Sequence, residues 1–303
     1  MAEKIPLQSE GEQLESFLDE LQKEQQIREI TGRETGFPHL SRALDGILPG
    51  LYLLIGPPAC GKTSFAKQLL DQVARHHAMP GVFFSFTDSE KELRIRTLAR
   101  LSGMENKEIR RGSAYLLHWY GMPKAHYTDL EHLPPSWDKL KRSAEEAKTW
   151  LDLIYLIKCD QDTDLRRIED QIREVGKIKR TDRVMVVIDD CQRLGDSQRT
   201  LTDRVANVVD DLQRAAVSLE IPILAVCPDL QEDRSTLPQI WSDRAPSADV
   251  ILVMEPDLQR TKKLTEPNQA LALHIVKNRG GERGSLAFEF YPAFSRFIEA
   301  APS

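Results

Sequence analysis

Gly56-Pro57-Pro58-Ala59-Cys60-Gly61-Lys62-Thr63 decides the reading of this 303-residue chain. The octet fits G-x-x-x-x-G-K-[ST], a turn whose glycines let backbone N–H groups face inward around a phosphate. Its flanks fit too. Leu51-Tyr52-Leu53-Leu54-Ile55 reads as a buried strand running into the turn, and Ser64 to Leu70 as the helix that leaves it. The helix start adds unpaired N–H donors and the positive end of a dipole. Gly56, Pro57, Pro58, Ala59, Cys60, Gly61, Lys62, Thr63 and Ser64 are the candidate phosphate-binding residues. Within them, Lys62 is placed to reach β/γ-phosphates and Thr63 to give its hydroxyl to Mg²⁺.

Outward from this turn, apolar runs alternate with helical stretches. Strands are expected at 82–86, 153–157, 184–188, 223–226 and 250–253, and helices at 90–101, 139–148, 164–176 and 202–219. In the last helix Val205, Val208, Val209, Leu212, Ala216 and Leu219 share one face. Near-continuous apolar strands separated by helices predict an α/β fold, a mostly parallel sheet covered on both faces. Residues 270–276 and 286–290 read instead as a C-terminal β-hairpin joined across 278–284. Before the core, residues 10–30 are charged, with Leu14, Phe17, Leu18 and Leu21 at helical spacing. One such helix cannot bury its own stripe and must dock on the core or on a neighbour. The expected division is 1–33 as N-terminal helix and linker and 34–303 as the main domain, with 113–150 a variable helical insertion. Trp119, Trp137 and Trp150 in the insertion make either a partner surface or a small local core.

Composition excludes several classes. The apolar fraction is 41% and no run of about 18 apolar residues occurs, so a membrane span is not expected. Met1 to Pro6 opens no signal-like segment, and Cys60, Cys159, Cys191 and Cys227 form no C-x-x-C pair. Buried thiols in a reducing cytoplasm are expected, with no zinc ribbon. His76-His77 falls at an expected helix end, where partial positive charge is favourable. A net charge of −6 argues against a protein that coats duplex DNA over its whole surface, while leaving room for a local basic channel.

A bound triphosphate also needs an acid for its metal. Val187-Ile188-Asp189-Asp190-Cys191-Gln192 ends an apolar strand in carboxylates, and Asp189 is the second candidate metal ligand beside Thr63. Gln192 reads either as a γ-phosphate sensor or as a loop residue bonded to backbone. The cofactors expected are ATP and Mg²⁺.

With these pieces placed, the chain resembles the RecA superfamily, and most closely the C-terminal ATPase domain of DnaB-type helicases, with RadA and KaiC as relatives. The resemblance spans about residues 31–299. It rests on Thr35-Gly36-Phe37 with Leu44-Asp45-Gly46, the phosphate loop, Phe83-Phe84-Ser85-Phe86, Leu101-Ser102-Gly103, Asp189-Asp190-Cys191-Gln192, Trp241-Ser242-Asp243-Arg244 followed by Ala248-Asp249-Val250, and Lys277-Asn278-Arg279. It implies that Lys277 and Arg279 reach the nucleotide of an adjoining subunit. It also implies a homo-oligomer, a hexameric ring or filament. In the family a catalytic Glu follows the second strand, and here that position is Thr87, which cannot act as a general base. Asp88 and Asp190 are the substitutes. The catalytic set is therefore Asp88, Asp190, Gln192, Lys277 and Arg279.

The resemblance implies an ATPase acting on single-stranded DNA, with loops near 192–195 and 231–244 facing the strand. The alternative is a KaiC-like regulatory ATPase whose nucleotide state controls a protein partner, met through the N-terminal helix or the 113–150 insertion, with weak or no hydrolysis. A nucleotide kinase fits the phosphate loop but neither the hairpin nor the D-x-x-Q pattern.

Overall fold

The computed structural model describes residues 30–112, 135–194, 200–229 and 245–300, with positions 9, 11, 14, 18 and 19 of the N-terminal stretch. A nine-stranded sheet runs through it. Its strands are β1 (Gly50–Gly56), β2 (Gly81–Ser85), β3 (Ile154–Lys158), β4 (Met185–Asp189), β5 (Pro222–Pro228), β6 (Val250–Pro256), β7 (Gln269–Asn278), β8 (Gly284–Tyr291) and β9 (Arg296–Glu299). Across the sheet the order is β3-β2-β4-β5-β1-β6-β7-β8-β9. The six strands from β3 to β6 are parallel, and β7, β8 and β9 continue antiparallel. The described helices are α1 (Pro38–Leu44), α2 (Lys62–His77), α3 (Glu90–Ser102), α4 (Asn106–Arg111), α5 (Pro135–Leu151), α6 (Leu165–Lys179), α7 (Leu201–Leu219) and α8 (Leu258–Thr261).

Alternation along the strands builds two cores. Leu51, Leu53 and Ile55 of β1 pack with Ile168 and Ile172 of α6 and Val208 and Leu212 of α7. Tyr52 and Leu54 point the other way, toward Leu40 of α1 and Phe65 and Leu69 of α2. Both faces are apolar because both are covered, which is why these strands read as continuous runs. Phe65 anchors the second core. Its ring stacks on Phe37 at 5.3 Å and meets Phe288 and Phe297 edge-on at 5.5 and 5.2 Å.

The expected strands and longer helices are present, and so is the hairpin, as β7 and β8. Among the described residues the short elements α1, α4, α8 and β9 are additional, with two 3-10 turns, Cys191–Leu194 and Pro292–Phe294. Strand β9 pairs antiparallel with β8 and is held further by side-chain bonds from α2 and to α1. Gln68 of α2 donates to the Phe297 carbonyl (2.9 Å) and accepts from its N–H (2.7 Å). Glu299 accepts from the His39 and Leu40 amides at the start of α1 (2.9 and 2.8 Å). The insertion helix begins at Pro135, before the expected Lys139. Trp150 is buried with Ala74 and Ala147, as a local core requires; Trp119 lies outside the described residues. All four cysteines are buried and free. Of the expected N-terminal helix, positions 11, 14, 18 and 19 are helical, with Leu14 and Leu18 about half exposed (51% and 54%). Among the described residues no helix is long and apolar enough to cross a membrane.

Candidate functional site

The phosphate loop joins β1 to α2. Ala59 and Gly61 sit at φ 62° and 91°, the left-handed region that reverses the chain before the helix. At Gly61 the absence of Cβ is required twice. The backbone favours glycine, and a Cβ would lie 2.8 Å from Phe290 Cε1 and 2.9 Å from Phe297 Cζ. The aromatic stack of β8 and β9 thus presses directly on the loop. Helix α2 has no side-chain N-cap and no acidic residue in its first turn. The first N–H groups of a helix have no partner within it, so the amides of Lys62, Thr63 and Ser64 remain for an anion. Lys62 Nζ donates to the carbonyls of Gly56 (2.7 Å) and Pro57 (2.8 Å), which keeps its ammonium over the loop.

Asp189 ends β4, in register with Ser85 of β2 and Val226 of β5. The Thr63 hydroxyl donates to its carboxylate at 2.9 Å. Burial, first, and then the charge of Asp190 push the Asp189 carboxyl up to about 7; the Thr63 hydrogen bond acts in the opposite direction. A buried carboxylate in that state is stabilised as an anion by a nearby cation. One hydroxyl and one carboxylate suit magnesium, which takes the rest of its octahedral shell from phosphate and water. Uncapped amides, a lysine and this oxygen pair together fit a nucleoside triphosphate with Mg²⁺.

Around this centre the candidates differ in freedom. Asp88, at the tip of β2, accepts from Arg96 at 2.7 Å, and Arg96 also donates to Ser64 Oγ at 2.9 Å. Asp190 has a left-handed backbone (φ 61°), and its carboxylate is 3.8 Å from Arg193 Nε, longer than a hydrogen bond. Gln192 lies in a 3-10 turn, Cys191–Leu194, and its Oε1 is buried without a partner among the described residues. Thr87 is exposed. Arg193 is exposed on the same turn, whereas the 231–244 loop lies outside the described residues.

Lys277 and Arg279 are elsewhere. They stand at the end of β7 that pairs with the start of β6, Ile251 opposite Lys277 and Val250 opposite Asn278. Lys277 Nζ donates to the Pro246 carbonyl (2.6 Å), and Arg279 pairs with Asp249 (2.8 Å). Asp249 in turn accepts from the Leu51 amide at the start of β1. The Arg279 level, that of Leu51, lies five residues or about 16 Å of strand from Gly56, and the Lys277 level, that of Leu53, three residues or about 10 Å. These two side chains therefore stand apart from their own chain's phosphate loop. Arg96 and Asp249 were not among the sequence candidates. Asp249 does lie in Ala248-Asp249-Val250, one of the stretches that carry the family resemblance, whereas the only signal for Arg96 is its position on the Leu93/Thr97 side of α3.

The match to known proteins follows this geometry. Residues 32–299 match the DnaB-like helicase C terminal domain. The chain belongs to that family. Among curated relatives it is 25% identical over 286 residues to the replicative DNA helicase DnaB of Geobacillus stearothermophilus and 22% identical over 298 residues to that of Leifsonia xyli. These alignments cover 89% and 90% of the chain and 57% of either relative, so it spans a little over half of their length. Among solved structures, a DnaB-like replicative helicase superposes with a TM-score of 0.74 at 20% identity, covering 96% of this chain and 68% of that one. A KaiC-like protein of Pyrococcus horikoshii superposes less well, with a TM-score of 0.55 at 15% identity, over 89% of this chain and 99% of that one. The fold is thus that of a RecA-like ATPase domain, and the DnaB side of the resemblance is the better supported.

Proposed function

We propose that the chain binds ATP with Mg²⁺ at the turn between β1 and α2 and hydrolyses it at a site completed by a second copy. The assembly, a hexameric ring or a filament, acts on single-stranded DNA in the cytoplasm. Residues 34–303 form the ATPase unit, with 113–150 its variable insertion, and residues 1–33 an arm toward a neighbour or a protein partner. The observation that carries this reading is the Thr63–Asp189 hydrogen bond at the mouth of an uncapped helix N-terminus.

Bound ATP supplies the phosphoanhydride bond, and Mg²⁺ neutralises its charge. The chain's own residues do the rest. Backbone amides from Ala59 to Ser64 and the Lys62 ammonium hold the phosphates against the loop, Pro57 and Pro58 having no N–H to give. Thr63 and Asp189 hold the metal. Asp190 orients and deprotonates the attacking water, because its carboxylate is the freer of the two candidates; Asp88 is engaged by Arg96. Gln192, whose amide oxygen has no partner among the described residues, bridges that water and the strand-facing turn. Lys277 and Arg279 enter from the adjoining copy and stabilise charge on the transferred phosphoryl oxygens. Arg193, on the turn after Asp189, faces the DNA.

A turnover assay with and without single-stranded DNA tests the reading. The expected result is Mg²⁺-dependent ATP hydrolysis stimulated by the strand at low salt and less so at high salt. Nucleotide binding without any response to DNA would favour a regulatory ATPase, and no nucleotide binding would end the account.

A further inference from the structure

Asp249 is a junction. Its Oδ1 pairs with the Arg279 guanidinium at 2.8 Å, and its Oδ2 accepts from the Leu51 amide and from Gln213 Nε2, each at 2.9 Å. The backbone doubles the link: the Asp249 N–H donates to the Leu51 carbonyl, and the Arg279 N–H donates to the Asp249 carbonyl, both at 3.0 Å. Gly50 leaves room for this. Its φ is 145°, and a Cβ there would lie 2.7 Å from Asp249 Oδ2. Asp249 is mostly buried, its side chain 16% exposed, while Arg279 is 67% exposed. A fixed carboxylate therefore grips an arginine whose remaining N–H donors face outward.

Three elements meet in that grip. β1 leads into the chain's own phosphate loop. α7, which carries Gln213, follows the Cys191–Leu194 turn in the chain. Arg279 stands at the far end of the sheet. We propose that Asp249 is the positioning residue for Arg279, aiming its guanidinium at the neighbouring copy's nucleotide from a base made by β1 and α7. The inference rests on the reading of Arg279 as a residue acting across the subunit boundary. A free arginine at that position would lose rotamer freedom each time it engaged a phosphate; one already paired to a buried carboxylate loses less.

A double-mutant cycle on the assembled protein tests it. Asp249→Asn keeps an oxygen for the Leu51 amide while removing the charge that orients Arg279, and Asp249→Glu keeps the charge but displaces it by one methylene. Each is expected to lower kcat on the order of tenfold, with KM for ATP within about twofold, since the interaction is made in the transition state. In an Arg279→Ala background neither should lower the rate further. Either variant alone carries the test if the other does not fold. Full activity of the Asp249 variants overturns the inference, as does the same tenfold loss in the Arg279→Ala background, because Asp249 would then act through β1 alone. An Arg279→Ala protein that turns over at the wild-type rate instead overturns the shared-site reading itself.

Discussion

The two ends of the parallel sheet are built differently. At the C-terminal tips of β1 and β4, charged and polar groups turn inward on one another: Lys62 onto the Gly56 and Pro57 carbonyls, Thr63 onto Asp189, Arg96 onto Ser64 and Asp88. At the opposite end Asp249 is buried but Arg279 projects from it into solvent. One end closes within a single chain, and it is the end proposed to grip phosphate. The other offers a cation with nothing of its own chain's phosphate loop to touch. On the proposed reading a complete site takes one end from each of two copies, the grip from one and the arginine from the other.

The comparison can be broken from either end. Arg279→Ala should have the largest effect, a drop in kcat of about a thousandfold, the scale of a missing arginine finger. Its affinity for ATP, read by calorimetry, should change by less than about threefold, because the finger does not hold the ground state. Lys62→Ala should act the opposite way. ATP affinity should fall on the order of a hundredfold, about 2.8 kcal/mol, since a charge-assisted contact to phosphate is lost. Unaltered binding in that variant would remove the inward grip from the account. Smaller still, and sharpening rather than breaking the contrast, is the choice of base. Asp190→Asn should lower kcat by about a hundredfold at most, at the low end for a general base. Asp88→Asn should cost several-fold, through the Arg96–Ser64 contact. The reverse ranking would make Asp88 the base.

Much of the grip was legible because its chemistry is local. Gly56 to Thr63 is a contiguous pattern, and Asp189 ends a run of apolar residues whose burial on both faces is itself a readable signal. The parallel order followed for the same reason. What was not legible depends on contacts distant in sequence. Strand β9 pairs with β8, and its free edge is satisfied by Gln68, 229 residues away. Arg96 looks like an ordinary helix charge until the fold brings it to Ser64, and Asp249, though part of the family resemblance, gives no sign in the sequence of its pairing with Arg279. Short helices such as α1, with seven residues, offer too few turns for a periodic pattern to emerge. That Lys277 and Arg279 lie far from their own phosphate loop is likewise a matter of sheet register, which the linear order conceals.

The central claim is that each site is shared between copies, and co-expression of two inactive variants tests it most directly. Lys62→Ala spoils the grip and Arg279→Ala spoils the finger, so each alone should be nearly inactive. Assembled together in equal amounts, about a quarter of the interfaces recover an intact Lys62 facing an intact Arg279, and about a quarter of wild-type turnover should return if sites act independently. Turnover that stays at the level of the separate variants in verified mixed assemblies, or an Arg279→Ala protein that is fully active alone, would contradict the account.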